Sequence, residues 1–361
     1  MLVLGAIFFN AKSNPQFSSG TALAFERANS LNNGVSISWL ERTWDTGILK
    51  NEYVKEADFK LLSRLGFKSI RLPVAFDYFE SKAIPPQTVF AKIDNVIKLC
   101  KTYGFKLILD YHDGNLNDNN YLTETPRLIK LWVNIATRYK NERPDFLFFE
   151  LYNEPPHMNP QIWKDAAYNI DVAIRKIDQQ RTLIVGASNF NSIYELSRFV
   201  RLADDNVIYT FHFYEPFFFT HQGADWIGDQ VSTTGVPFPY TVENFPALNP
   251  RAKGTWGETN YGQYKTDGNE QSINDKLKIV KNWSDKYYVP VICGEYGVYN
   301  KYADLGSRCR YIKAMRAALK KLHIPGLLWD YNSNFSIFDG TPSIDHLPPC
   351  MRDAIGYGTQ N

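Results

Sequence analysis

From about residue 34 onwards, short and nearly continuous apolar runs alternate with longer periodic segments, and few architectures fit that alternation. The runs are Gly34–Trp39, Phe67–Val74, Phe105–Tyr111, Phe146–Tyr152, Thr182–Ala187, Val207–Phe213, Val289–Gly294 and Ile324–Trp329. Apolar character on both faces is the pattern of parallel strands covered by helices. Between them lie Glu52–Leu65, Val89–Tyr103, Pro126–Lys140, Gln161–Gln179, Ser192–Leu202, Glu270–Tyr287, Leu305–Leu322 and Leu347–Ile355, read as helices. Eight strands and eight helices in strict order predict an α/β fold, a closed (β/α)8 TIM barrel, over an open doubly wound sheet. The Gly-rich phosphate loop that an open sheet would carry is missing. A chain of 361 residues, 44% hydrophobic and 22% charged, suits one such domain. The barrel is expected over residues 31–361, behind an N-terminal segment, 1–30.

Forty basic and 38 acidic side chains leave a net charge of +2, which gives no footprint for nucleic acid. Met1–Phe9 is apolar, too short to span a bilayer, and lacks the basic flank of a secretory signal. It reads either as the remnant of such a signal or as an ordinary terminus, and export is the expectation. No other stretch resembles a membrane span, and a monomer is expected. The cysteines show no metal-type spacing. Cys100 and Cys293 are expected to be buried thiols. Cys309 and Cys350 each open a late helix, and a bridge between them is compatible with export.

One connection breaks the rhythm. The stretch from Phe213 to Glu270 shows no clear periodicity and is rich in aromatic, Gly and Pro residues. Long loops in compact domains are functional or disordered, and the aromatic content argues against disorder. Following the sixth strand, it is expected to overhang the C-terminal mouth and shape a binding cleft. Exposed Trp and Tyr would suit the apolar faces of sugar rings.

The strand tips carry the chemistry. Two apolar runs end abruptly in carboxylates, at Asn153-Glu154-Pro155 and Gly294-Glu295-Tyr296-Gly297. The other tips read Arg71, His112, His212 with Tyr214, and Trp329. Barrel enzymes keep their active residues at this end. Paired carboxylates are the kit for glycosidic bond cleavage, with one protonated and the other ionised. Arg71 is the cation expected to lower the pKa of one Glu; the competing reading is a structural ion pair beneath the rim. Asn153 is placed to meet a sugar 2-hydroxyl, and Trp329 to form a stacking floor. A metal site from His112, His212 and the two glutamates is a weaker reading, because no tight ligand pair is present. No cofactor is expected. Serine hydrolysis lacks its G-x-S-x-G turn.

With these motifs in place, the chain resembles glycoside hydrolase family 5, the cellulase and mannanase family. Ile70-Arg71-Leu72-Pro73, Asp110-Tyr111-His112, Asn153-Glu154-Pro155, His212-Phe213-Tyr214, Gly294-Glu295-Tyr296-Gly297 and Leu328-Trp329 carry the likeness, over about Gly34 to Leu347. His212 to Phe217, followed by Phe219 to Trp226, is similar to a bacterial branch of endo-β-1,4-glucanases, some of which also cut mannan and mixed-linkage glucan. The resemblance implies a retaining endo-β-1,4-glucanase without a cofactor, acting on a polysaccharide, with Glu154 as acid/base and Glu295 as nucleophile. Arg71 and Tyr214 would hold the nucleophile, Asn153 would contact the 2-hydroxyl, and His112, His212 and Trp329 would line the −1 subsite. His221 corresponds to a histidine lining the subsites. A β-mannanase, a broad β-glucanase and a non-catalytic carbohydrate-binding barrel are the alternatives. The chain departs from the branch at Asp113, where a second histidine is common, and at Ser38-Trp39-Leu40-Glu41, which lacks a glycine-asparagine step. Retention implies carboxyl groups about 5–5.5 Å apart.

Overall fold

A computed structural model describes residues 18–44 and 55–358. The apolar Met1–Phe9 segment and the first residues of the helix expected from Glu52 lie outside the described residues. Eight parallel strands close into a barrel in chain order: β1 Gly34–Ser36, β2 Ser69–Val74, β3 Lys106–Tyr111, β4 Leu147–Glu150, β5 Leu183–Val185, β6 Val207–His212, β7 Val291–Tyr296 and β8 Gly326–Leu328. β8 pairs back onto β1 through Val35 and Leu328, so no edge is left open.

Helices cover the outside, and the long ones between strands turn an apolar stripe to the barrel. Pro86–Tyr103 shows why: Val89, Ile93, Val96, Ile97 and Cys100 recur at helical spacing and are all buried. Pro86 sits in its first turn, and Gly104 ends it with φ 75°, a left-handed cap that glycine adopts without strain. The residues Ser19–Ser30, which the sequence placed ahead of the barrel, form a helix capped by Ser18. Ala28 of this helix and Leu31 just after it pack with inward-facing Ile108, Phe148, Ile184, Ile208, Ile292 and Leu327. The helix therefore floors the barrel, and Arg27 ties it to Thr182 at 2.6 Å.

Two elements differ from expectation. Ser192–Leu202 holds only one helical turn, Ile193–Leu196. Its buried residues Ile193, Leu196, Phe199 and Leu202 repeat every three positions. Arg198 and Phe199 donate to carbonyls three residues back, so the turn tightens and does not propagate. The connection after β6 is ordered by the short turn Phe217–Thr220, two 3₁₀ turns at Asp229–Val231 and Pro250–Ala252, and the longer helix Trp256–Asp267. Cys309 and Cys350 form a disulfide joining helices Leu305–Lys321 and Pro349–Ile355. Cys100 and Cys293 are buried free thiols.

Candidate active site

Arg71, buried on β2, organises the barrel mouth. Its Nε and Nη2 make a two-pronged contact with Glu150 at 2.7 and 2.9 Å. Nη2 also lies 3.0 Å from Asp110 Oδ2 and donates to Asn153 Oδ1 at 2.8 Å. Nη1 donates to Glu295 Oε1 at 2.6 Å. Both readings of the sequence thus hold together: the arginine is a buried ion pair and it also holds a carboxylate at the mouth.

The register of β7 brings Glu295 into this network. Phe211 pairs with Cys293, but the next residue, His212, pairs with Glu295, so Gly294 is passed over. Such a slip re-aims a side chain near a barrel rim. Glycine is required there, because a Cβ would lie 2.4 Å from Thr210 Oγ1. Glu295 Oε2 then accepts from Tyr214 Oη at 2.8 Å. Glu154 sits opposite, at φ 44°, a left-handed conformation that is strained for a side-chain-bearing residue. Its Oε1 lies 2.7 Å from His212 Nδ1, which is also 3.4 Å from Glu295 Oε2. An oxygen of each glutamate lies within 4.8 Å of one on the other. This is near the spacing for retention, and short of the roughly 6.5–9.5 Å needed for inversion.

The two glutamates differ in their surroundings. The Glu295 side chain is 5% exposed and that of Glu154 31%. Burial pushes the Glu154 carboxyl up to about 7, with His112 and Arg71 opposing. Glu295 is also raised above the ordinary carboxylate range by burial, with His212 and Arg71 pulling it back. Arg71 does lower the Glu295 carboxyl, as expected, but its pull is smaller than the push of burial. One guanidinium is shared among Asp110, Glu150 and Glu295, and burial outweighs each share.

Around this pair, the His112 ring stacks parallel to Trp329 at 5.9 Å, and its Nδ1 lies 2.8 Å from Asp110 Oδ2. Asn153 Nδ2 is 3.4 Å from His112 Nε2. His221 stands apart: it is buried, stacks on Phe217 at 4.0 Å and meets the Tyr214 ring edge-on at 4.8 Å. It packs against the same Tyr214 that donates to Glu295. Glu154, His212 and Glu295 also form a donor set of a size that a metal ion would fit. However, Glu295 already accepts from a guanidinium and a phenol on separate oxygens. A cation there would sit beside the charge of Arg71.

A family model described as cellulase (glycosyl hydrolase family 5) matches residues 29–335. The chain belongs to glycosyl hydrolase family 5. It is 32% identical over 357 residues to Endoglucanase 3 of Fibrobacter succinogenes, covering 91% of this chain and 53% of that protein. The chain thus spans about half the length of that relative. It is 31% identical over 304 residues to Endoglucanase C of Acetivibrio thermocellus, covering 80% of this chain and 87% of that protein. The crystal structure of endoglucanase Cel5A from Thermotoga maritima aligns with a TM-score of 0.74 at 25% identity, over 92% of this chain and 99% of the other.

In this family 5 chain, Arg71, His112, Asn153, Glu154, His212, Tyr214, Glu295 and Trp329 meet at one mouth, and His221 touches them through Tyr214. Sequence reasoning missed Asp110 and Glu150. Both are carboxylates inside otherwise apolar strands, the same signal that singled out Arg71.

Proposed function

We propose that this chain is a retaining endo-β-1,4-glucanase in which Glu295 attacks the anomeric carbon while Glu154 protonates the departing oxygen. Water activated by the same Glu154 then releases the glycosyl-enzyme. The observation that carries this reading is the close but unequal pair. The carboxylates approach within 4.8 Å, one nearly enclosed and held by Arg71 and Tyr214, the other more open and raised to about 7. His112, Asn153, His212 and Trp329 line the reacting sugar's site, with Asn153 turned to its 2-hydroxyl. The names of the endoglucanase relatives support β-1,4-glucan as substrate, and β-mannan or mixed-linkage glucan is the nearest alternative. Export of a monomer is part of the proposal; the Cys309–Cys350 bridge supports an oxidising compartment. Among the described residues no helix is long and apolar enough to cross a membrane.

Proton NMR of the first product from a soluble β-glucan should show the β anomer, and an α product would overturn retention. Side-by-side assays on glucan and mannan with product sizing separate the specificities and distinguish endo from exo action. Activity should persist in EDTA; loss restored by a divalent ion would favour the metal reading. Binding without turnover on every glycan would mark a non-catalytic barrel.

A further inference from the structure

His212 lies between the two glutamates, and its far side is addressed by Asn191. Its Nε2 is 3.3 Å from Asn191 Nδ2. With the amide turned this way its nitrogen donates and Nε2 accepts, and a neutral ring then carries its hydrogen on Nδ1. Burial keeps the ring neutral by lowering its pKa to about 4. The hydrogen on Nδ1 points at Glu154 Oε1, 2.7 Å away.

Asn191 is held for this contact. It is fully buried, and its Oδ1 has no hydrogen-bond partner among the described residues. An orphaned polar atom beside a reaction centre calls for an explanation. Gly186 makes room for it, since a Cβ there would lie 1.9 Å from Oδ1. Asn189, Phe190 and Asn191 form a left-handed run with φ of 58°, 62° and 53°. Strain of this kind persists where neighbours impose it, and it clusters at functional sites. The imposing neighbours are the residues just after the acid/base: Asn189 N donates to Pro156 O at 3.0 Å and Phe190 N to Pro155 O at 2.9 Å. The strained turn at Glu154 and the one at Asn191 are thus laced together.

We propose that Asn191 is a positioning residue that fixes the Nδ1–H form of His212 and so places the transferable proton of Glu154 on Oε2. This rests on the acid/base role given to Glu154 above. With Oε1 accepting from the ring, the hydrogen of the neutral acid sits on the other oxygen. In the first step that hydrogen passes to the glycosidic oxygen as the C–O bond breaks and Glu295 bonds to the anomeric carbon. In the second step water attacks that carbon, Glu295 departs as carboxylate, and the water's hydrogen returns to Oε2. In the opposite ring form, Nδ1 would be a bare acceptor. A protonated Glu154 would then donate to the ring and not to the leaving oxygen.

Histidine-labelled protein, with His212 assigned through loss of its signals in His212→Gln, reads the ring form directly by two-bond ¹H–¹⁵N correlation. Wild type should show Nδ1–H. Asn191→Asp, whose carboxylate accepts, should switch it to Nε2–H. The same variant should lower kcat/KM on β-glucan by about 100-fold, within the range of acid–base contributions. The burst from 2,4-dinitrophenyl β-cellobioside, whose leaving group needs no proton, should fall less than about 5-fold by the same reasoning. A purely structural role would slow both substrates alike. An Nε2–H ring in wild type, an unchanged ring in the variant, or equal losses on both substrates would each overturn the proposal. Should Asn191→Asp fail to fold, the wild-type spectrum and the two-substrate ratio of Asn191→Ala decide it. Because the spectrum reads the ring whether or not glucan is cleaved, failure here is distinct from failure of the glucanase reading.

Discussion

The lower and upper interior of the barrel are built from the same strands, two residues apart, and have opposite physics. Ile108 and Asp110 share the inward face of β3, Phe148 and Glu150 that of β4, and Ile208, Thr210 and His212 that of β6. The lower layer is hydrocarbon closed off by the N-terminal helix. Each of its large side chains contributes roughly 1.5–3 kcal/mol by leaving water. The upper layer gathers Arg71, Asp110, Glu150 and Glu295, all buried. Burial lifts Asp110 to about 7 and raises Glu150 as well, so this layer opposes folding. The fold spends its stable half to hold its reactive half in place.

The contrast breaks most visibly at Glu295. Glu295→Gln should lower kcat on soluble β-glucan by on the order of 10⁴-fold or more, while the melting temperature holds or rises. A variant keeping most activity would sink the assigned role. The converse change is Phe148→Ala in the lower layer. Denaturant unfolding should show a loss of about 3–5 kcal/mol, with kcat/KM of the folded fraction near wild type. If activity per folded molecule collapses instead, the two layers are not separable.

Glu154 sharpens the comparison through pH. The acid must be protonated, a state present below its pKa and lost above it. The kcat/KM profile should therefore fall on the alkaline side near the pH of about 7 given for Glu154. Its acid limb should lie above the ordinary carboxylate range, because Glu295 is raised and must be ionised. Glu154→Gln should abolish the alkaline limb and cut activity roughly 10²- to 10⁴-fold. A second pH test concerns Glu41, buried near the rim, where burial, followed by Asp330, lifts the carboxyl from 4.5 to about 9. A folded-state pKa above the unfolded one means stability present at low pH and lost as pH rises towards 9. Melting curves from pH 5 to 9 should decline less steeply for Glu41→Gln, and parallel curves would refute the burial argument.

The barrel was legible because each strand run is apolar on both faces, and the mouth because a charge ending such a run has few reasons to be there. What stayed hidden lacked periodicity. Ser19–Ser30 buries Thr21, Ala24, Arg27 and Ala28, too small and too polar to read as a stripe. Trp256–Asp267 buries only Gly257 and Tyr264, so its helical form leaves no trace in the hydropathy. Asn191 was invisible for another reason: in Ser188-Asn189-Phe190-Asn191 it looks like ordinary turn chemistry, and its contact lies 21 positions away at His212.

The sharing of Arg71 has a consequence for the reaction's highest point. Three carboxyl groups, Asp110, Glu150 and Glu295, face a single guanidinium at the barrel mouth. Glycosidic cleavage passes through an oxocarbenium-like state, in which the ring itself turns positive. Carboxyl oxygens crowded around one cation favour that fleeting positive charge, before any bond to Glu295 is complete. In the proposed mechanism the carboxyl cluster that opposes folding thus becomes an electrostatic cradle, set in advance for a charge the resting substrate does not carry.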